Sequence, residues 1–186
     1  MLNPISIPSL SRNTPSLMKR VNKLPWQIWM LGGSIVIYVF VYRMMASGMG
    51  DVSFQPRLDP LLAEGWVTQL HVVSAIWTFL IGLVIMLLPK GVGFHKALGW
   101  SWVIGMALTA GSSFLMTGIF ENSYSPIHAL SAYTLLGLPF AVAAARRRNI
   151  KAHREHMTSM FVGAMVIAGL FTFLPGRLMW SMLFVA

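Results

Sequence analysis

Residues 66–88 read WVTQLHVVSAIWTFLIGLVIMLL, a run without a single Asp, Glu, Lys or Arg. Its length matches the ~20 residues an α-helix needs to cross a hydrocarbon core. Four further uncharged runs flank it, at Trp26 to Tyr42, Ala97 to Phe120, Pro126 to Ala145 and Met157 to Gly176. The chain of 186 residues is 56% hydrophobic and 10% charged, whereas soluble domains carry roughly a quarter charged residues. Helices apolar on every side belong inside a large core or a lipid bilayer, and a chain this short cannot bury five of them. The expected fold is therefore all-α and integral to the membrane, with five transmembrane helices.

Outward from that run, residues 1–25 form a basic, Pro-rich tail and 26–46 the first span. A loop over 47–65 follows, then a core over 66–176 with spans near 66–88, 97–120, 126–145 and 153–176, and a tail over 177–186. Asp59-Pro60 and Ser125-Pro126 have the form of an N-cap followed by proline at the first helical position. Pro139 falls within the fourth span, where a missing N–H favours a kink. No small-residue cleavage site follows the first apolar run, so that run is expected to stay as a signal anchor.

The absence of cysteine excludes disulfides and thiolate metal sites. The net charge of +9 is explained by topology and requires no nucleic acid. Eleven of the fourteen basic residues fall in the N-terminal tail and in the second-to-third and fourth-to-fifth connections. Only Arg43, Arg57 and Arg177 lie on the other side, together with four of the five acids. By the positive-inside rule the N-terminus is cytoplasmic and the C-terminus extracytoplasmic. Most tryptophans fall near helix ends, as an interfacial belt requires.

The core carries an internal repeat. Leu70-His71-Val72-Val73-Ser74-Ala75 opens the second helix, and Ile127-His128-Ala129-Leu130-Ser131-Ala132 opens the fourth, 57 residues later. At an offset of 58, His95-Lys96 aligns with His153-Arg154, Ser101 with Ser159, and Gly105 with Gly163. Two tandem hairpins running in the same direction imply a pseudo-two-fold axis along the membrane normal. The first helix is then an addition to a four-helix bundle. Small residues spaced four apart, as in Ser101 with Gly105 and Ser159 with Gly163, let helix backbones approach closely.

Symmetry of this kind turns the histidines into two layers. His71 and His128 form one; His95 with His153, or with His156 three residues on, forms the other. Neutral imidazole is the commonest metal ligand, and bundle cores hold cofactors between facing helices. His71 and His128 are thus candidate ligands of a haem iron, with Ser74, Ala75 and Thr78 making room beside His71. No intramembrane carboxylate pair, phosphate loop or Ser-His-Asp set accompanies them.

The sequence His-x-x-Ser-Ala, then His-Lys-x-Leu-Gly-Trp, Ser-Pro-x-His and a final His-Arg-x-x-Met resembles a group of predicted bacterial membrane proteins. They are known as a domain-of-unknown-function family with a four-helix core. The resemblance covers about Trp66 to Gly176 and implies residence in the bacterial inner membrane. A looser similarity is to di-haem cytochrome b membrane proteins, which implies bis-histidine haems near both faces. Two functions follow as expectations. One is a redox membrane protein binding haem b or a quinone at the histidine layers. The other is a non-catalytic accessory or assembly subunit of a larger membrane protein complex. A small transporter or sensor is a third reading.

Overall fold

The computed structural model describes residues 26–87, 93–116 and 126–185. The basic tail, Lys90, Glu121 and Ser125 lie outside them. Helix α1 spans Trp26–Ala46, α2 Asp59–Leu62, α3 Trp66–Leu87, α4 Gly93–Phe114 and α5 Pro126–Arg146. Helix α6 spans Ile150–Met160 and runs through a π-helical stretch, Phe161–Ile167, into α7 at Ala168–Phe171; α8 covers Leu178–Leu183. Three helices among the described residues are long and apolar enough to cross a membrane: Ile28–Ala46, Trp66–Leu87 and Ile127–Arg146.

Helices α3 to α6 close into a ring. Thr109 meets Ser74 while Trp77 meets Ser101, so α4 runs antiparallel to α3. Ser131 reaches Ser113 on α4, and His153 reaches Ala141 on α5. Phe161 of the π stretch stacks on Phe79 of α3, ring centroids 5.9 Å apart. Helix α1 stays outside this ring and meets its far side through Tyr38, whose hydroxyl donates to the Phe173 carbonyl at 3.3 Å.

The α3–α4 seam is built from hydroxyls and bare backbone. Thr78 and Ser74 are buried; Thr78 Oγ1 donates to the Ser74 carbonyl at 2.6 Å. Thr109 Oγ1 lies 2.8 Å from the Gly105 carbonyl and 3.0 Å from Ser74 Oγ. Each hydroxyl thus finds its partner without water, which an apolar environment demands. A Cβ at Gly105 would overlap Thr78 Oγ1, and one at Gly82 would stand 2.5 Å from Cε2 of Phe161.

The α5–α6 turn is tight for a local reason. Arg148 adopts φ 59°, and the Asn149 N–H reaches back to the Ala144 carbonyl at 2.9 Å, the six-to-one bond of a Schellman end. Asn149 Oδ1 then accepts from the Ala152 N–H at 3.1 Å, capping α6. One residue closes one helix and opens the next.

The structure corrects several sequence expectations. Within the C-terminal tail the described residues hold α8 and a strand β2, Phe184–Val185, which pairs antiparallel with β1, Ser53–Phe54, from the 47–65 loop. The pairing extends through Gln55 and Arg57, whose N–H groups donate to Leu183 and Met182 carbonyls at 2.9 and 2.8 Å. Asp59 lies within the first turn of α2 and does not cap it; Leu58 is the N-cap, without a side-chain bond. Pro139 lies inside α5, where the sequence places it. A Cβ at Gly163, the repeat mate of Gly105, would meet nothing within 4 Å, so only the first small pair makes a close approach.

Gly105→Ala is accordingly expected to destabilise the protein by about 1–3 kcal/mol, the usual cost of overpacking. Gly163→Ala is expected to be neutral or stabilising by up to about 1 kcal/mol through helix propensity. Thermal unfolding of the two variants in detergent reads the difference.

Candidate functional site

Among the described residues, a cavity opens toward each end of the ring, the two divided by a buried apolar layer. Trp102 and Phe161 of that layer face one cavity, while Met106 and Met165 face the other. The larger cavity, about 470 Å³, lies at the His71 end and is lined by α3, α4, α5 and the π stretch. The smaller, about 240 Å³, lies where α3 ends, α4 begins, and α5 turns into α6.

His71 sits one turn and a half into α3 and lines the larger cavity. Its Nδ1 is 3.0 Å from the Thr109 carbonyl oxygen and 3.1 Å from Ser112 Oγ. A carbonyl only accepts, so Nδ1 must carry the proton. Ser112 Oγ has its own acceptors in the Leu108 carbonyl at 2.7 Å and the Thr109 carbonyl at 3.0 Å, leaving a lone pair to share the Nδ1–H. The tautomer is thereby set by α4, and Nε2 is the ring's acceptor. Ordering one imidazole nitrogen by a backbone carbonyl is how a protein prepares the other for a ligand. Thr109, Ser113, Ser131, Thr134 and Thr172 add hydroxyls to a largely apolar wall.

His128 does not join His71 there. It is buried, but it is absent from the walls of the larger cavity and packs on the Phe114 ring, centroids 5.9 Å apart and tilted by 57°. The repeat places both histidines at the same height, yet the bundle gives them different neighbours. Helix α4 meets His71 through Thr109 and His128 through Phe114.

The other layer behaves oppositely. His95 and His153 both line the smaller cavity, brought there by the starts of α4 and α6. His153 Nδ1 is 2.9 Å from the Ala141 carbonyl, so its Nε2 is also the acceptor. His156, the alternative to His153, is exposed and lies off the cavity wall. Lys96 and Arg146 share that wall; the Arg146 guanidinium lies 5.9 Å from the centroid of the Trp100 ring, a cation–π distance. Among the described residues no group of three or more His, Asp or Glu side chains could hold a metal ion.

Sequence reasoning finds His71 and its Ser74–Thr78 face but misses Thr109, Ser112, Ser113 and Thr134. Hydroxyls at helical spacing are the available signal. They are common in membrane helices, and only the pairing of α3 with α4 distinguishes them.

Against known families, residues 68–183 match the model described as predicted membrane protein (DUF2306). The chain belongs to that family. The match covers α3 to α8 except for the first two residues of α3, and leaves α1 outside, as the 1 + 4 division of the sequence implies. No curated protein and no solved structure matches the chain. The family is described as one of predicted membrane proteins, and the match takes in the helices of the ring.

If backbone carbonyls set the two tautomers as described, nitrogen NMR of the imidazoles in mildly alkaline buffer should show His71 and His153 as Nδ1–H forms. An Nε2–H signal from either would contradict that tautomer.

Proposed function

We propose that this family member spans the membrane five times and binds a hydroxyl-bearing amphiphile of the quinol type in the His71 cavity. The observation that carries the reading is the His71 ring, tied through Nδ1–H to the Thr109 carbonyl at 3.0 Å while lining a predominantly apolar cavity of about 470 Å³. Largely apolar walls with a few placed polar groups are the usual build of a small-molecule site. An Nε2 acceptor takes a hydrogen bond from a quinol hydroxyl. The carbonyl of the oxidised quinone offers no donor in return. A bis-histidine haem needs two rings turned to one space, and His71 lines this one without His128, which favours the quinol over the haem.

The five-span reading draws support from the lengths of the two helices beyond the three apolar ones. Helix α4 has 22 residues, and α6, the π stretch and α7 continue one another over 150–171. The bias of basic residues toward the α3–α4 and α5–α6 connections supports an N-terminus on the cytoplasmic side of a bacterial inner membrane.

The test is equilibrium binding of a short-chain quinol and its oxidised quinone to purified protein in detergent. Quinol is expected to bind about tenfold tighter or more, since leaving one buried acceptor unpaired costs about 1–3 kcal/mol. His71→Phe should abolish the preference while the quinone's affinity holds. Equal binding of the two forms, or a preference that survives His71→Phe, overturns the proposal. Haem bands in a reduced-minus-oxidised spectrum that vanish in the same variant would restore the cytochrome reading, and stable co-purification with a larger assembly and no small molecule would favour the accessory subunit.

A further inference from the structure

The smaller cavity has a chemistry of its own. Its wall carries His95, Lys96, Arg146 and His153, with no carboxylate lining it among the described residues. Lys96 and Arg146 are exposed at its rim, and the Trp100 ring beneath Arg146 holds that cation near the mouth. Below the rim the wall is apolar: Ile85 and Val103 face Val142, and Phe161 closes the floor beside Trp102. The Trp102 indole N–H is buried there and makes no hydrogen bond among the described residues. A free anion would gain from the rim alone; only a molecule with both an anionic head and an apolar chain uses the whole cavity.

From this we infer that the smaller cavity is a binding site for an anionic lipid whose head bears a hydroxyl, of the phosphatidylglycerol kind. Lys96 and Arg146 take the phosphate. Basic pockets between membrane helices bind such heads, each Lys or Arg near the surface adding to the attraction. His153 has its Nδ1–H committed to Ala141, so the nitrogen it can offer is an acceptor, which suits a glycerol hydroxyl. The acyl chain lies along Ile85, Val103 and Val142. Gly99 lines the cavity too, and a Cβ there would meet nothing within 4 Å; the space beside it belongs to the ligand.

The experiment is retention of defined lipids by the purified full-length chain, read by native mass spectrometry and by titration in detergent. Phosphatidylglycerol is expected to outbind phosphatidylcholine by about tenfold or more. Both Gly99→Leu, which puts a branched side chain into the cavity from a position with room for its Cβ, and the Lys96→Gln/Arg146→Gln pair should remove that preference at unchanged unfolding temperature of the lipid-free protein. Arg147→Gln with Arg154→Gln, off the cavity wall but equally basic, should leave it intact. Equal retention of the two lipids overturns the inference. So does an equal loss in the Arg147/Arg154 pair, which would assign the preference to diffuse surface charge. Displacement of the lipid by inorganic phosphate would make the site one for a free anion and overturn it as well.

Discussion

The contact on which the bundle turns is the approach of the α4 backbone at Gly105 to Thr78 of α3. In a medium without water every buried polar group must find a partner within the protein, and apolar side chains gain little by leaving lipid for one another. The seam therefore relies on close backbones and on hydroxyls that return their protons to carbonyls, as Thr78 does to Ser74 and Ser112 to Leu108. A bare backbone at Gly105 permits the distance. That distance fixes the register of α4 on α3, and the register in turn sets Thr109 and Ser112 opposite His71.

The same register delivers Trp102 to Gly82 at the other end of the seam, where the missing Cβ of Gly82 leaves room for the indole and for Phe161. Phe161 begins a π stretch, a widened turn that recurs at functional places in helices. One added residue rotates everything after it by roughly 100° relative to a regular helix. Gly163, inside this stretch, is not presented to a neighbour as Gly105 is, and Ala164 to Val166 of the same stretch line the larger cavity. The two cavities lie at opposite ends of the bundle and differ in chemistry accordingly, one lined by hydroxyls around His71 and the other by Lys96 and Arg146.

Much of this is legible in the order of residues alone. The uncharged runs announce long helices, the offset of 57 to 58 divides the chain into an added helix and a four-helix core, and Ser101 with Gly105 marks a close seam. His71 stands out because it falls inside a span. Whether His71 and His128 share a space is not legible, because equal height along a helix says nothing about which neighbour a ring meets. The choice between His153 and His156 is likewise open in sequence, since both lie on the first two turns of α6 and only contact with Ala141 separates them. The strand pair joining Ser53–Phe54 to Phe184–Val185 leaves no trace in sequence, being two residues on each side and far apart along the chain.

By itself, then, the sequence determined the helical character, the membrane environment and the histidine positions, because hydrophobic run length and residue identity are properties of the chain read in order. The tertiary structure alone decided which histidine faces which cavity, which nitrogen of His71 and of His153 carries the proton, and that Lys96 and Arg146 share a wall with His153. Those depend on helix rotation and register. They follow from where a missing Cβ lets two backbones meet and where a π turn rotates a helix face, neither of which a hydropathy pattern contains.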